Sequence, residues 1–129
     1  MTQSKITIGS PEEWEIFKQS NPLFLEKLEL LHSTIEKVFL RTVSSENPAD
    51  RVVFYLGILC VEDFNEVTLL CGNGCGIGAL KILRGLYERA VSLGYIAKNP
   101  NKAEDFLALT PDYVPARIRE LPMFLVLYS

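Results

Sequence analysis

Apolar residues recur at three- and four-residue steps through most of the chain, the period of a helix with one buried face. Phe24, Leu28, Leu31, Ile35, Val38 and Phe39 make one stripe, which predicts a helix from about Leu23 to Val43. Val53, Leu56, Cys60, Phe64, Val67 and Leu70, with Phe54 and Val61 beside them, make a second over about Arg51 to Cys71, with Glu62, Asp63 and Glu66 on more polar faces. Ala79, Leu80, Leu83, Leu86, Tyr87, Ala90, Val91 and Gly94 form a third, wider stripe, flanked by Lys81, Arg84 and Glu88 and stopped at Asn99-Pro100. Shorter helical patterns lie on either side. One holds Trp14 and Phe17, the other spans Lys102–Leu109 with Phe106, Leu107 and Leu109.

The punctuation agrees with these limits. Ser10-Pro11-Glu12-Glu13 is a helix start, with Ser10 as cap, Pro11 at the first helical position and Glu13 completing a capping box. Asn21-Pro22 interrupts the first helix, because proline disfavours helical geometry in the residue before it. Ser44-Ser45-Glu46-Asn47-Pro48 is loop chemistry, after which Asp50 is expected to cap the next helix. Arg117–Leu121 fits one helical turn, and Pro122–Tyr128 is strand-like without a partner strand. The expected fold is therefore all-α, an antiparallel bundle of four or five helices. It forms one domain over residues 1–129, with 1–9 a loose arm and 110–129 an irregular or truncated end.

The segment Gly72-Asn73-Gly74-Cys75-Gly76-Ile77-Gly78-Ala79, leading into Leu80–Lys98, admits two readings. In one, Glu66–Leu70 is a strand and Gly74–Ala79 follows the G-x-G-x-x-A pattern of a dinucleotide loop, similar to the glycine-rich motif of methyltransferases that use S-adenosylmethionine. In the other, Gly72 or Gly74 ends a helix in left-handed geometry, and Gly76 and Gly78 let two backbones approach. The second is preferred. The apolar steps run unbroken from Val53 to Leu70, and no acidic residue stands near Gly94–Lys98 to bind a ribose. All four glycines are then structural.

Composition narrows the classes further. The chain has 129 residues, 48% of them hydrophobic and 22% charged, with a net charge of −3. That balance suits a soluble globular protein and gives no strong nucleic-acid signal. Val52–Val61 and Met123–Tyr128 are too short to span a bilayer, so no membrane is expected. Residues Met1–Ile8 do not read as a signal peptide, and Cys60, Cys71 and Cys75 do not form a disulfide framework, which points to a cytoplasmic setting.

Asp63-Phe64-Asn65-Glu66, Asn73-Gly74, the run Gly78–Ala90 and Tyr95 with Asn99-Pro100 together resemble a bacterial family known as domain of unknown function 5677. The likeness covers about residues 50 to 107 and is most specific at Arg84–Glu88. It implies an all-helical domain and no established activity. It also implies further helix beyond Thr110, which this chain does not show, so Met123–Ser129 reads as a truncation or frame change.

Candidate chemistry is sparse. Arg84 and Glu88, four residues apart, pair on one helix face. They hold the bundle, or they line a polar pocket that binds an anionic ligand, with Glu62, Asp63 or Glu66 facing Arg84. His32 is the single histidine, so neither a serine triad nor an arginine–histidine nuclease pair finds its partner. With three cysteines and one distant histidine, no metal site and no cofactor are expected. The leading expectation is a noncatalytic interaction or structural domain that self-associates or binds a protein partner through surplus apolar helix faces. A helical enzyme or ligand binder using Arg84, Glu88, Asp63 and Glu66 is the rival, and the methyltransferase-like loop is the weakest choice.

Overall fold

A computed structural model of the protein describes residues 9–39 and 47–110. They form α1 (Pro11–Ser20), α2 (Pro22–Phe39), α3 (Pro48–Gly72), α4 (Gly76–Lys98), a 3-10 turn (Pro100–Lys102) and α5 (Ala103–Leu109). No strand occurs among the described residues. The expected all-α bundle is what the chain builds.

The helix starts follow from local chemistry. Pro11 opens α1, and the Ser10 hydroxyl accepts the Glu13 amide at 3.3 Å. The Ser10 amide, which a capping box would direct to Glu13, donates instead to Asn73 Oδ1 at 2.9 Å and ties the start of α1 to the end of α3. Asn21 Nδ2 donates to the Phe17 carbonyl, and Pro22 then begins α2, one residue before the expected Leu23. The expected end of that helix at Val43 lies outside the described residues. So do the loop from Ser44 to Glu46 and everything after Thr110, including the Arg117–Leu121 turn and the strand-like Pro122–Tyr128. Only Gly9 of the expected loose arm is described.

The start of α3 corrects one expectation. Asn47 is the cap, its Oδ1 accepting the Ala49 amide at 2.9 Å, and Pro48 takes the first helical position. Asp50 stands inside the first turn, where a carboxylate favours the helix dipole without capping it.

The helix α3 runs to Gly72, so Glu66–Leu70 is helical and the strand required by the dinucleotide-loop reading is absent. The turn to α4 is short. Asn73 caps α3, Gly74 takes φ +80°, and the Cys75 amide donates to the Leu70 carbonyl at 2.7 Å. Gly74 is thus the left-handed residue, a geometry that costs an L-residue about 1–2 kcal/mol. The expected close backbone approach at Gly76 and Gly78 does not occur. A Cβ on Gly76 would meet nothing within 4 Å, and one on Gly78 would meet Leu70 Cδ1 at 3.9 Å. Both sit in the first turn of α4. The crowded position is Gly72, where a Cβ would collide with the Trp14 ring.

α3 is the central element, and every other helix packs against it. Its main partner is α4, which returns antiparallel. Leu70 lies beside Gly78 near the turn, and Val52 and Ile96 share one core cluster at the far end. That cluster holds Ala49, Val52, Leu56, Ile96 and Ala103, with Leu93, Phe106 and Leu107 packed around it. Ala103 is how α5 closes this end. On the opposite side of α3, Ile58 and Val61 are buried on the face that also carries Gly72, against which α1 lies. Trp14 stacks on Phe17 at 5.7 Å, and Phe17 meets Phe24 edge-on at 5.6 Å, which joins α1 to α2.

Candidate functional site

α4 has two apolar faces. Ala79, Ile82, Leu86, Leu93 and Ile96 recur at helical spacing, are buried or half-buried, and face α3. Ile77, Leu80, Leu83, Tyr87, Val91 and Tyr95, spaced by three or four residues, point the other way. These six are exposed, Ile77 at 81% and Tyr87 at 71%. Isolated surface leucines need no explanation, but a continuous stripe along one helix does. The sequence pattern joins Ala79 and Leu86 with Leu80, Leu83, Tyr87 and Val91 in one wide stripe. The structure splits it, because α3 covers only one side.

Beside the C-terminal end of this stripe, α5 stands off α4 and leaves a groove of about 420 Å³. Val91, Tyr95 and Leu109 line it, Ile96 and Phe106 form part of its wall, and Lys102 and Asp105 pair across 3.1 Å at its edge. That hydrogen bond, and then the Asp105 charge, raise the Lys102 pKa.

The predicted polar residues separate into two groups. Arg84 Nε donates to Glu88 Oε1 at 3.1 Å, with the two side chains 83% and 63% exposed. They pair with each other on the surface of α4. Asp63, 14% exposed, pairs with Arg89 across the α3–α4 interface, not with Arg84. Glu62 and Glu66 are exposed. Arg89 and its role were missed by the sequence reading. The signal that would have found it is the antiparallel register: with Leu70 beside Gly78, Asp63 falls opposite Gly85, and the Arg89 side chain, one turn further on, reaches back over Gly85.

Cys60 lies one turn before Asp63. Burial pushes its thiol above the usual range, the Asp63 charge adds to the rise, and Arg89 opposes it. Glu88 and Arg89 also line a cleft of about 270 Å³ with Tyr55, Ser92 and Thr110. A larger groove of about 600 Å³ separates α2 from α3, with Trp14, Leu28 and Leu69 on its walls and Ser10, His32, Asn65, Thr68 and Asn73 as its polar residues. The Thr68 hydroxyl is already committed to the Phe64 carbonyl. Among the described residues no three His, Cys, Asp or Glu side chains converge to hold a metal ion, and no helix is long and apolar enough to cross a membrane.

Comparison with curated proteins and with solved structures gives no match. Residues 50–110 match the model of a family described as "Family of unknown function (DUF5677)". The match begins in the first turn of α3 and ends at the residue after α5. It contains the α3–α4 hairpin, the Asp63–Arg89 pair and the whole outer stripe of α4. The segment 50–110 of this chain is a DUF5677 region, in agreement with the likeness carried by Asp63–Glu66 and Gly78–Ala90.

Proposed function

We propose that this protein is a noncatalytic, cytoplasmic interaction domain, and that the outer face of α4 is its docking surface. One observation carries the reading: α4 is apolar on two opposite sides, and α3 covers one of them. A continuous apolar stripe left exposed along a whole helix is the mark of a contact surface, so the outer face of α4 is built for contact. Aromatic residues lead the stripe in Tyr87 and Tyr95, the residue type enriched at interface centres. The charged groups close to it, Arg84 and Glu88, lie at its flank, the place of a polar rim.

The test is a pair of serine substitutions, Leu80→Ser and Tyr87→Ser. If the face is reserved for a partner, the isolated domain at low micromolar concentration keeps its helix content, and its unfolding free energy moves by less than about 0.5 kcal/mol. If α4 is instead enclosed within the monomer, each substitution costs about 2–5 kcal/mol.

The ligand-binding alternative draws on the cleft lined by Glu88 and Arg89. Arg84 stands outside that cleft, so a ligand there would be held through Arg89, Ser92 and Tyr55. A thermal shift with anionic metabolites that disappears in Arg89→Met but persists in Arg84→Ala would favour it over the docking role.

A further inference from the structure

The outer face of α4 is self-complementary, and we propose that its occupant is the same face of a second copy of this chain. The two α4 helices run antiparallel about a two-fold axis near Gly85 and Leu86. This rests on α4 being a docking surface and names the partner.

The spacing of the stripe reads nearly the same in both directions. Ile77 mirrors Tyr95, Leu80 mirrors Val91, and Leu83 mirrors Tyr87, each pair centred at Gly85, at Leu86 or between them. A two-fold interface uses one patch twice, so residue i meets j and j meets i, and such a patch must have this symmetry. Shape follows the same rule. Ile77, the most exposed residue of the stripe, projects at one end, and the groove lined by Val91, Tyr95 and Leu109 lies at the other. Eighteen helical residues separate them, a span of about 27 Å. Reversing one helix against the other seats each Ile77 at the groove of the second copy.

Charge selects the direction. Arg84 and Glu88 flank the stripe and are centred on Leu86. In the antiparallel arrangement Arg84 of one copy lies beside Glu88 of the other, twice, and the existing pairs join into a ring of alternating sign. A parallel two-fold arrangement would carry the two copies' Arg84–Glu88 pairs to opposite flanks of the interface, out of each other's reach, so only the antiparallel one adds contacts between opposite charges. The six apolar side chains present surface on the order of 800 Å², what one partner contributes to a standard interface.

Sedimentation equilibrium of the full chain, from low to several hundred micromolar, tests this with five proteins: the parent, Tyr87→Glu, Arg84→Glu, Glu88→Arg and the double reversal Arg84→Glu/Glu88→Arg. The parent should show reversible doubling of its 14.5 kDa mass. Tyr87→Glu should weaken dimerisation at least about a hundredfold, each single reversal about tenfold, and the double reversal should return to within about threefold of the parent. If Tyr87→Glu loses its helical circular dichroism, Val91→Lys replaces it, with the same expected loss. A parent that stays monomeric overturns self-pairing. Anilinonaphthalene sulfonate then separates the two ideas. Dye bound by the monomer and lost on Tyr87→Glu leaves a docking face for some other partner, whereas a dimer indifferent to Tyr87→Glu overturns both. Weakening by single reversals without rescue by the double reversal overturns the antiparallel register.

Discussion

The ring of Trp14 occupies the space that a side chain on Gly72 would need. This contact fixes α1 against the end of α3. It is reinforced by the Ser10 amide bound to Asn73 and by the Trp14–Phe17–Phe24 ring contacts. Gly72→Ala should displace Trp14 and cost about 1–3 kcal/mol, the usual penalty for overfilling a packed site. Trp14 is the single tryptophan, so its fluorescence reports the event cleanly. The emission should shift to the red in the variant before any global unfolding in urea. Unchanged emission and stability would show that α1 is not held there.

The two ion pairs of the α3–α4 hairpin should behave differently. Arg84–Glu88 is solvent-exposed, and such i,i+4 pairs contribute about 0.3–0.5 kcal/mol. Asp63–Arg89 joins two helices with Asp63 mostly buried. Removing one member leaves the other short of a partner, a larger loss than the pair's own net value. Arg84→Ala should therefore lower unfolding free energy by less than about 0.5 kcal/mol at low protein concentration. Asp63→Asn should lower it by about 1–3 kcal/mol. Equal losses in urea denaturation would contradict this ranking.

Cys60 gives the hairpin a pH dependence. Its thiol holds its proton more tightly in the folded chain than in the unfolded one, first because of burial and then because of Asp63. The protonated thiol thus favours folding below its ordinary pKa, about 8.5. That contribution is lost as pH rises through the raised folded value. The parent should lose more stability than Cys60→Ala between pH 8 and 10. Exposed Cys75 should react with a thiol reagent before Cys60 does. Parallel stability curves for the two proteins would show that Cys60 contributes no such dependence.

The fold was legible where local rules decide it. The stops at Asn21-Pro22 and Asn99-Pro100, the Ser10 cap and the turn around Gly74 are properties of neighbouring residues, and the structure has them. The Asn47 cap was hidden because Asn-Pro also marks loops, and here it does both. Contacts between distant residues were not legible. Nothing near Gly72 announces Trp14, and Asp63 finds Arg89 only once the register of the hairpin is fixed. The candidate site was half visible. Periodicity found every residue of the outer stripe except Ile77 and Tyr95, but only the position of α3 shows which of them remain uncovered.

Hydroxyl-radical footprinting of the tyrosines over a hundredfold range of protein concentration tests the central claim most directly. Tyr87 and Tyr95 are exposed on the outer face of α4, whereas Tyr55 packs against the core. Tyr87 and Tyr95 should become protected together as concentration rises, with Tyr55 unchanged. Labelling of Tyr87 and Tyr95 that is the same at every concentration would contradict the pairing of α4 with its copy.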